Sequence, residues 1–146
     1  MSQYIPSPSD WVAEQVRVYE ESNGVLGTTL RDTGMPVIIV TNQGRKTGAI
    51  RKTPLMKVAD GDGYVLVASM GGAPENPLWY HNLIANSEIE IRDFEKSLPM
   101  RARLIEDEAE RARLWALAVI AYPPYEEYQE RTERVIPVFR AETSIG

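Results

Sequence analysis

Arg45, Lys46, Arg51 and Lys52 fall within twelve residues, GRKTGAIRKTPL (44–55), of a chain whose formal net charge is -5. Positive charge gathered locally in an acidic chain suits a small anionic ligand better than a long polyanion, because nucleic-acid binding ordinarily draws on a basic domain. Gly44 and Gly48 flank the cluster and give the backbone access to positive φ, so successive N–H groups can turn inward as an anion-binding nest. Arg45 and Lys46 add full charges, and a guanidinium can grip a phosphate or carboxylate through two parallel hydrogen bonds. Thr47 and Thr53 offer hydroxyls. Arg51 and Lys52 are neighbours on a predicted strand and point to opposite faces, so one of them is expected at the same pocket. The GxxxxGK[ST] spacing of a Walker A loop is absent. A solvated surface turn is the plainer reading of such a cluster.

A second candidate anion site lies at SMGGAPENPLWYHN (69–82). Gly71 and Gly72 follow a strand end at Ser69. Asn76 is suited to be an N-cap, with Pro77 at the first helical position. A strand, a glycine loop and a helix N-terminus together present free N–H groups to an anion. Trp79 and Tyr80 would sit in the first turn, where a flat ring could pack on a ligand; the alternative is a connecting loop with Trp79 in the core. Tyr122, Tyr125 and Tyr128, in YPPYEEYQ, are spaced by three beside a double proline. Their phenols could line a lid and donate to an oxygen on which charge develops, or they could form a peripheral aromatic cluster. His81, the single histidine, reads as a packing or surface residue.

The elements that must position these groups follow from patterning. Residues 8–22 read as a helix, with Ser7 as cap, Asp10 completing a capping box, and Trp11, Val12, Gln15, Val16 and Tyr19 at helical spacing. Strands are predicted at 36–41, 51–58, 64–69, 88–92, 97–105 and 135–139, with a turn at 60–63. Pro54 inside the second of them implies a sheet edge or a bulge. Residues 106–122 read as a long helix broken by Pro123 and Pro124, and 125–132 as a short one. The pattern predicts an α+β fold built on an antiparallel barrel or sheet.

A chain of 146 residues, 43% hydrophobic and 25% charged, is the size and balance of one globular domain. No apolar run reaches the roughly 18 residues of a membrane span, and MSQYIPSPSDW lacks the basic head and apolar middle of a signal peptide. With no cysteine and one histidine, thiolate and multi-histidine metal sites within one chain are excluded. A cytoplasmic location agrees with this composition.

The segments VTNQGRKTGAIRKTPLM, VASMGGAPENPLWYHNL, AYPPYEEYQERT and IPVF occur in this order and at spacings that resemble the deazaflavin-dependent nitroreductase family. The resemblance covers roughly residues 25–140. It implies a single-domain split β-barrel of about six mostly antiparallel strands with flanking helices, in which an N-terminal helix (1–24) precedes the deazaflavin-binding domain (25–146). It further implies coenzyme F420 as cofactor, an 8-hydroxy-5-deazaflavin with a phosphate and a polyglutamate tail, and hydride transfer to a quinone-like or nitroaromatic acceptor.

By the same resemblance, Arg45, Lys46, Thr47 and Arg51 would hold the phosphate and tail. Thr53, Pro54, Leu55 and Met56 would lie along the ring, and Ala68, Ser69, Met70, Gly71, Gly72, Asn76, Pro77, Trp79, Tyr80 and Asn82 would complete the pocket. Tyr125 would lie over the ring, with Ser69, Tyr122, Tyr125 and Tyr128 on the catalytic, acceptor side. Met56 and Met70 depart from the nitroimidazole-activating member, which has a tyrosine and a lysine there. Alternative readings are a deazaflavin carrier without turnover, or a split barrel for FMN or haem; FMN lacks the glutamate tail, and haem would have His81 as its one histidine ligand. The family's N-terminal region is suggested to touch the inner face of the membrane. Here Glu14, Glu20 and Glu21 oppose anionic lipid and favour packing on the barrel or on a second subunit of a homodimer.

Overall fold

The computed structural model describes residues 3–30 and 33–143. Helix α1 (Asp10–Glu21) leads into β1 (Val37–Gln43) and β2 (Ile50–Met56), then β3 (Ala59–Asp60) and β4 (Gly63–Val67). Helix α2 (Leu78–Ala85), β5 (Glu88–Asp93), β6 (Lys96–Leu104), α3 (Glu108–Ala121), α4 (Pro124–Glu130) and β7 (Val138–Thr143) complete the chain. The strands form one sheet in the order β2-β1-β5-β6-β7-β4-β3, antiparallel at every step. It curls into a half-barrel, bringing the β2 edge close to β4. The α+β half-barrel agrees with the expected fold class. The additional strand is the two-residue arm Ala59–Asp60, which pairs with β4 around Gly61 at φ 62 in the stretch read as a turn.

Burial follows the alternation of the strands. Ile89 and Ile91 of β5 point inward while Glu88 and Glu90 face solvent. Val37 to Val40 are all buried, because both faces of β1 are covered. Val37 and Ile39 pack with α1 and α3, whereas Ile38 and Val40 pack with α2. Pro54 sits on the edge strand opposite Ile39, where a residue without an N–H breaks no ladder. At the start of β2 that edge is covered by the N-terminal arm: the Ile50 N–H donates to the Gln3 carbonyl at 2.9 Å and the Ile5 N–H to the Ile50 carbonyl at 3.0 Å.

Three boundaries differ from expectation for local reasons. Helix α1 begins at Asp10, because the Ser7 hydroxyl accepts from the Ser9 N–H at 3.1 Å instead of capping the first turn. The last strand begins at Val138, because the Ile136 N–H is taken by the Gln129 Oε1 at 2.9 Å and is lost to the ladder. Helix α2 begins at Leu78, with Pro77 as its N-cap. Helix α1 is fixed to the barrel by the buried Val16 and Tyr19, and the Tyr19 hydroxyl accepts from the Phe94 N–H at 2.7 Å. No helix among the described residues is long and apolar enough to cross a membrane.

Candidate active site

A cavity of about 830 Å³ opens where the curled sheet does not close, bounded by β2, the end of β4, α2, α4 and the start of α1. That volume is in the range of small-molecule sites. Its basic rim is the loop from Gly44 to Ala49. Two backbone hydrogen bonds tighten it, Gly44 N–H to the Ala49 carbonyl at 2.7 Å and Gly48 N–H to the Gly44 carbonyl at 2.8 Å. Of the two glycines, Gly48 alone needs its freedom, at φ 76; Gly44 keeps an ordinary φ. The Thr47 hydroxyl accepts from the Ala49 N–H at 3.2 Å. The Arg45 N–H donates to the Asn82 Oδ1 at 3.0 Å, which ties the loop to α2.

Among the described residues, Arg45, Lys46 and Arg51 pair with no carboxylate, and the Lys46 and Thr47 amides donate to no protein group. Lys52 also borders the cavity, but its ammonium lies 2.7 Å from Glu20 and 5.0 Å from the Tyr4 ring centre. Of this adjacent pair, Arg51 therefore keeps its charge uncommitted.

The walls below the rim are apolar. Pro54, Leu55 and Met56 of β2, Val67 of β4 and Trp79 of α2 line them, with Thr53 beside them. Strand β4 runs out into Ser69 and a 3-10 turn at Met70–Gly72. Met70 has φ 47 and Gly71 φ 65; a methyl group at Gly71 would meet nothing within 4 Å. A methyl group at Gly72, by contrast, would lie 2.5 Å from the Tyr128 carbonyl oxygen, so the turn is pressed against α4. The Ser69 side chain makes no hydrogen bond to another described residue.

The tyrosines close the far side. Helix α3 ends at Ala121 and α4 begins at Pro124, so the three phenols are split across a helix break. Tyr122 and Tyr128 share a hydrogen bond at 3.0 Å between their hydroxyls. The Tyr125 ring packs edge-on against Tyr122, with centres 4.9 Å apart, and is itself buried in the core. Burial, followed by the hydrogen bond to Tyr128, pushes the Tyr122 phenol up to about 12. Burial also raises the Tyr125 phenol far above its ordinary range. Both are proton donors at neutral pH. Tyr125 is anchored in the core, and the three phenols together form one wall of the cavity.

All the expected site residues border this cavity except Ala68, Gly72, Asn76 and Tyr80. Ala68 is fully buried on the strand face turned to the α2 core. Gly72 is packed on α4. Asn76 is not the helix cap: its Oδ1 accepts from Arg134 at 2.8 Å. The Tyr80 ring is turned toward Phe139 and His81, and His81 lies outside the cavity. Ser7, Pro8, Trp11 and Val12 also line the cavity, a role not expected for the N-terminal helix. Trp11 and Val12 lie one turn before the anchoring Val16, which was the available signal. Arg134, whose guanidinium holds the 68–76 loop, had none.

Comparison with known proteins gives a consistent result. The family model described as F420H(2)-dependent quinone reductase matches residues 11–143. An F420H(2)-dependent quinone reductase of Mycobacterium tuberculosis strain H37Rv is 37% identical over 123 residues, covering 83% of this chain and 82% of that protein. The solved structure of an F420-H2-dependent reductase, FDR-A, is 48% identical with a TM-score of 0.69, covering 73% of this chain and 94% of its own. A structure described as a domain-swapped dimer is 45% identical with a TM-score of 0.72, covering 93% and 100%.

Proposed function

This chain belongs to the F420H(2)-dependent quinone reductase family, and from that premise we propose how its cavity binds coenzyme F420 and serves the reduction of a quinone. The protein is an oxidoreductase and its cofactor is F420. The observation that carries the site assignment is the pairing of uncommitted cations and free amides on the rim with a largely apolar interior. A phosphate and a run of glutamates need several positive partners at one end of the molecule. Arg45, Lys46 and Arg51, with the Lys46 and Thr47 amides, offer that set with no internal competitor among the described residues. The tricyclic ring needs an apolar slot, which Pro54, Leu55, Met56 and Trp79 provide. The donor set fits the coenzyme.

Reduced F420, when bound, supplies a hydride to the acceptor. The chain supplies orientation and electrostatics. Arg45, Lys46 and Arg51 on the rim would hold the anionic tail. The apolar walls exclude water. Of the hydrogen-bonded pair Tyr122 and Tyr128, one phenol donates to the other and leaves one O–H to point at the acceptor. That O–H, with the Ser69 hydroxyl, donates to the acceptor oxygen as negative charge builds there. The raised phenol of Tyr122 stays protonated, so it acts as a donor and not as a base.

Met56 and Met70 bring no polar group to the acceptor, which favours a quinone and makes a nitroaromatic a slower alternative. The relative described as a domain-swapped dimer supports a homodimer here; light scattering at micromolar concentration reports a mass of two chains or of one. The functional reading is tested by mixing the protein and reduced F420 with a simple naphthoquinone and following the return of oxidised-cofactor absorbance. Turnover faster with the quinone than with a nitroimidazole is expected. Bound cofactor that neither acceptor oxidises would leave a carrier.

A further inference from the structure

Arg134 lies outside the cavity wall, yet its guanidinium organises one side of the site. Nε donates to the Ala73 carbonyl at 2.8 Å, Nη1 to the Ala68 carbonyl at 3.1 Å and the Asn76 Oδ1 at 2.8 Å, and Nη2 to the Ser69 carbonyl at 2.7 Å. The acceptors bracket the segment from Ser69 to Gly71, which does line the cavity and which holds Met70 and Gly71 in the left-handed region. All are neutral oxygens, and Arg134 pairs with no carboxylate among the described residues.

The residue is itself held. The Gln129 Nε2 donates to the Arg134 carbonyl at 2.7 Å, while the Gln129 Oε1 accepts from the Ile136 N–H. Gln129 belongs to α4, the helix that carries Tyr125 and Tyr128. The turn and α4 also touch directly, at Gly72 against the Tyr128 backbone.

We infer that Arg134 is a positioning residue that sets the Ser69–Gly71 wall at a fixed height against the tyrosines of α4, so that cofactor and acceptor sides of the site form one rigid block. The planar fork is essential to this role. A lysine retains the charge but, as a single point, cannot span carbonyls on both sides of the turn. The inference rests on the F420 reading of the cavity, so its test carries readouts that do not.

The experiment compares wild type with Arg134→Lys, Arg134→Ala and Asn76→Ala by hydrogen exchange at the Gly72 and Ala73 amides, which donate to the Ser69 and Met70 carbonyls, thermal unfolding and F420 titration. The expected result is exchange accelerated at these amides, and not in β5 and β6, in both Arg134 variants. An F420 Kd raised about tenfold or more is expected with Arg134→Lys still folded, consistent with loss of charge-assisted hydrogen bonds. Millimolar guanidinium should restore protection and affinity to Arg134→Ala. If that variant does not fold, Arg134→Lys and Asn76→Ala carry the test. Unchanged exchange at Gly72 and Ala73, or acceleration spread evenly over the sheet with no guanidinium rescue, would overturn the inference. A wild type that binds no F420 while Arg134→Lys still shows the local exchange defect would overturn the cofactor reading and leave the clamp standing.

Discussion

Arg45 carries a charge that no described residue neutralises, and its own amide is already committed to Asn82. The side chain and the backbone therefore do separate jobs, one for the ligand and one for the loop. Arg45→Ala should weaken F420 binding about tenfold, as expected for one charge-assisted contact, and the residual affinity should fall less steeply with salt than that of wild type. Equal affinities and equal salt slopes in a fluorescence titration would remove the rim from the binding account. The phenol pair makes a prediction of the same scale. The tyrosinate absorbance difference between wild type and Tyr122→Phe should titrate above the ordinary phenol near 10, because burial and the Tyr128 hydroxyl both raise it. A midpoint at the ordinary value would mean that Tyr122 is open to water.

At the scale of elements, two contacts decide how the site is held. The turn at Met70–Gly72 meets α4 so closely that Gly72→Ala must both strain a φ of 81 and push a methyl group into the Tyr128 carbonyl. A loss of about 2–4 kcal/mol is expected from left-handed strain and overpacking combined. Gly71→Ala, with a similar φ but open space, should cost about 1 kcal/mol. Equal denaturant midpoints for the two would refute the tight turn–helix contact.

On the far side of the barrel, Asp60 joins the β3–β4 hairpin to α3 through Arg113 at 3.0 Å and to β7 through Arg140 at 2.9 Å. These hydrogen bonds lower the Asp60 carboxyl to about 2. Because the folded value lies below the unfolded one, the stabilisation is complete above about pH 4 and is lost as pH falls through about 2. Asp60→Asn should cost about 1 kcal/mol at neutral pH, allowing for solvent screening, and the gap to wild type should close toward pH 2. A gap independent of pH would mean that the carboxylate charge is not what counts.

For the molecule as a whole, the positions of strands were legible wherever alternation was clean, as in Ile89 and Ile91 against Glu88 and Glu90, but their order in the sheet was not. Pro54 correctly signalled an edge, and the basic loop stood out as a break in an acidic chain. What was hidden depends on partners distant in sequence. Asn76 looks like a helix cap until Arg134, far along the chain, takes its oxygen. Arg134 itself has no motif, since its acceptors are mostly carbonyls that any residue supplies. Ser7 is the local exception, its hydroxyl turned to a neighbour two residues on. Lys52 could be told from Arg51 only once α1 had brought Glu20 beside it. The residues that line the cavity were easier to find than those that hold them in place, because ligand chemistry restricts residue type and backbone support does not.

On the function proposed above, a rim of uncommitted cations and an apolar slot suit this cavity to F420 in particular. Titration of the purified protein with oxidised F420, followed by cofactor fluorescence and set beside the same titration with FMN, tests it most directly. Both ligands have a tricyclic ring and a phosphate, but F420 also has the glutamate tail that the rim would hold. Micromolar or tighter binding of F420 and much weaker binding of FMN are expected. Equal affinities, or FMN bound more tightly, would contradict it.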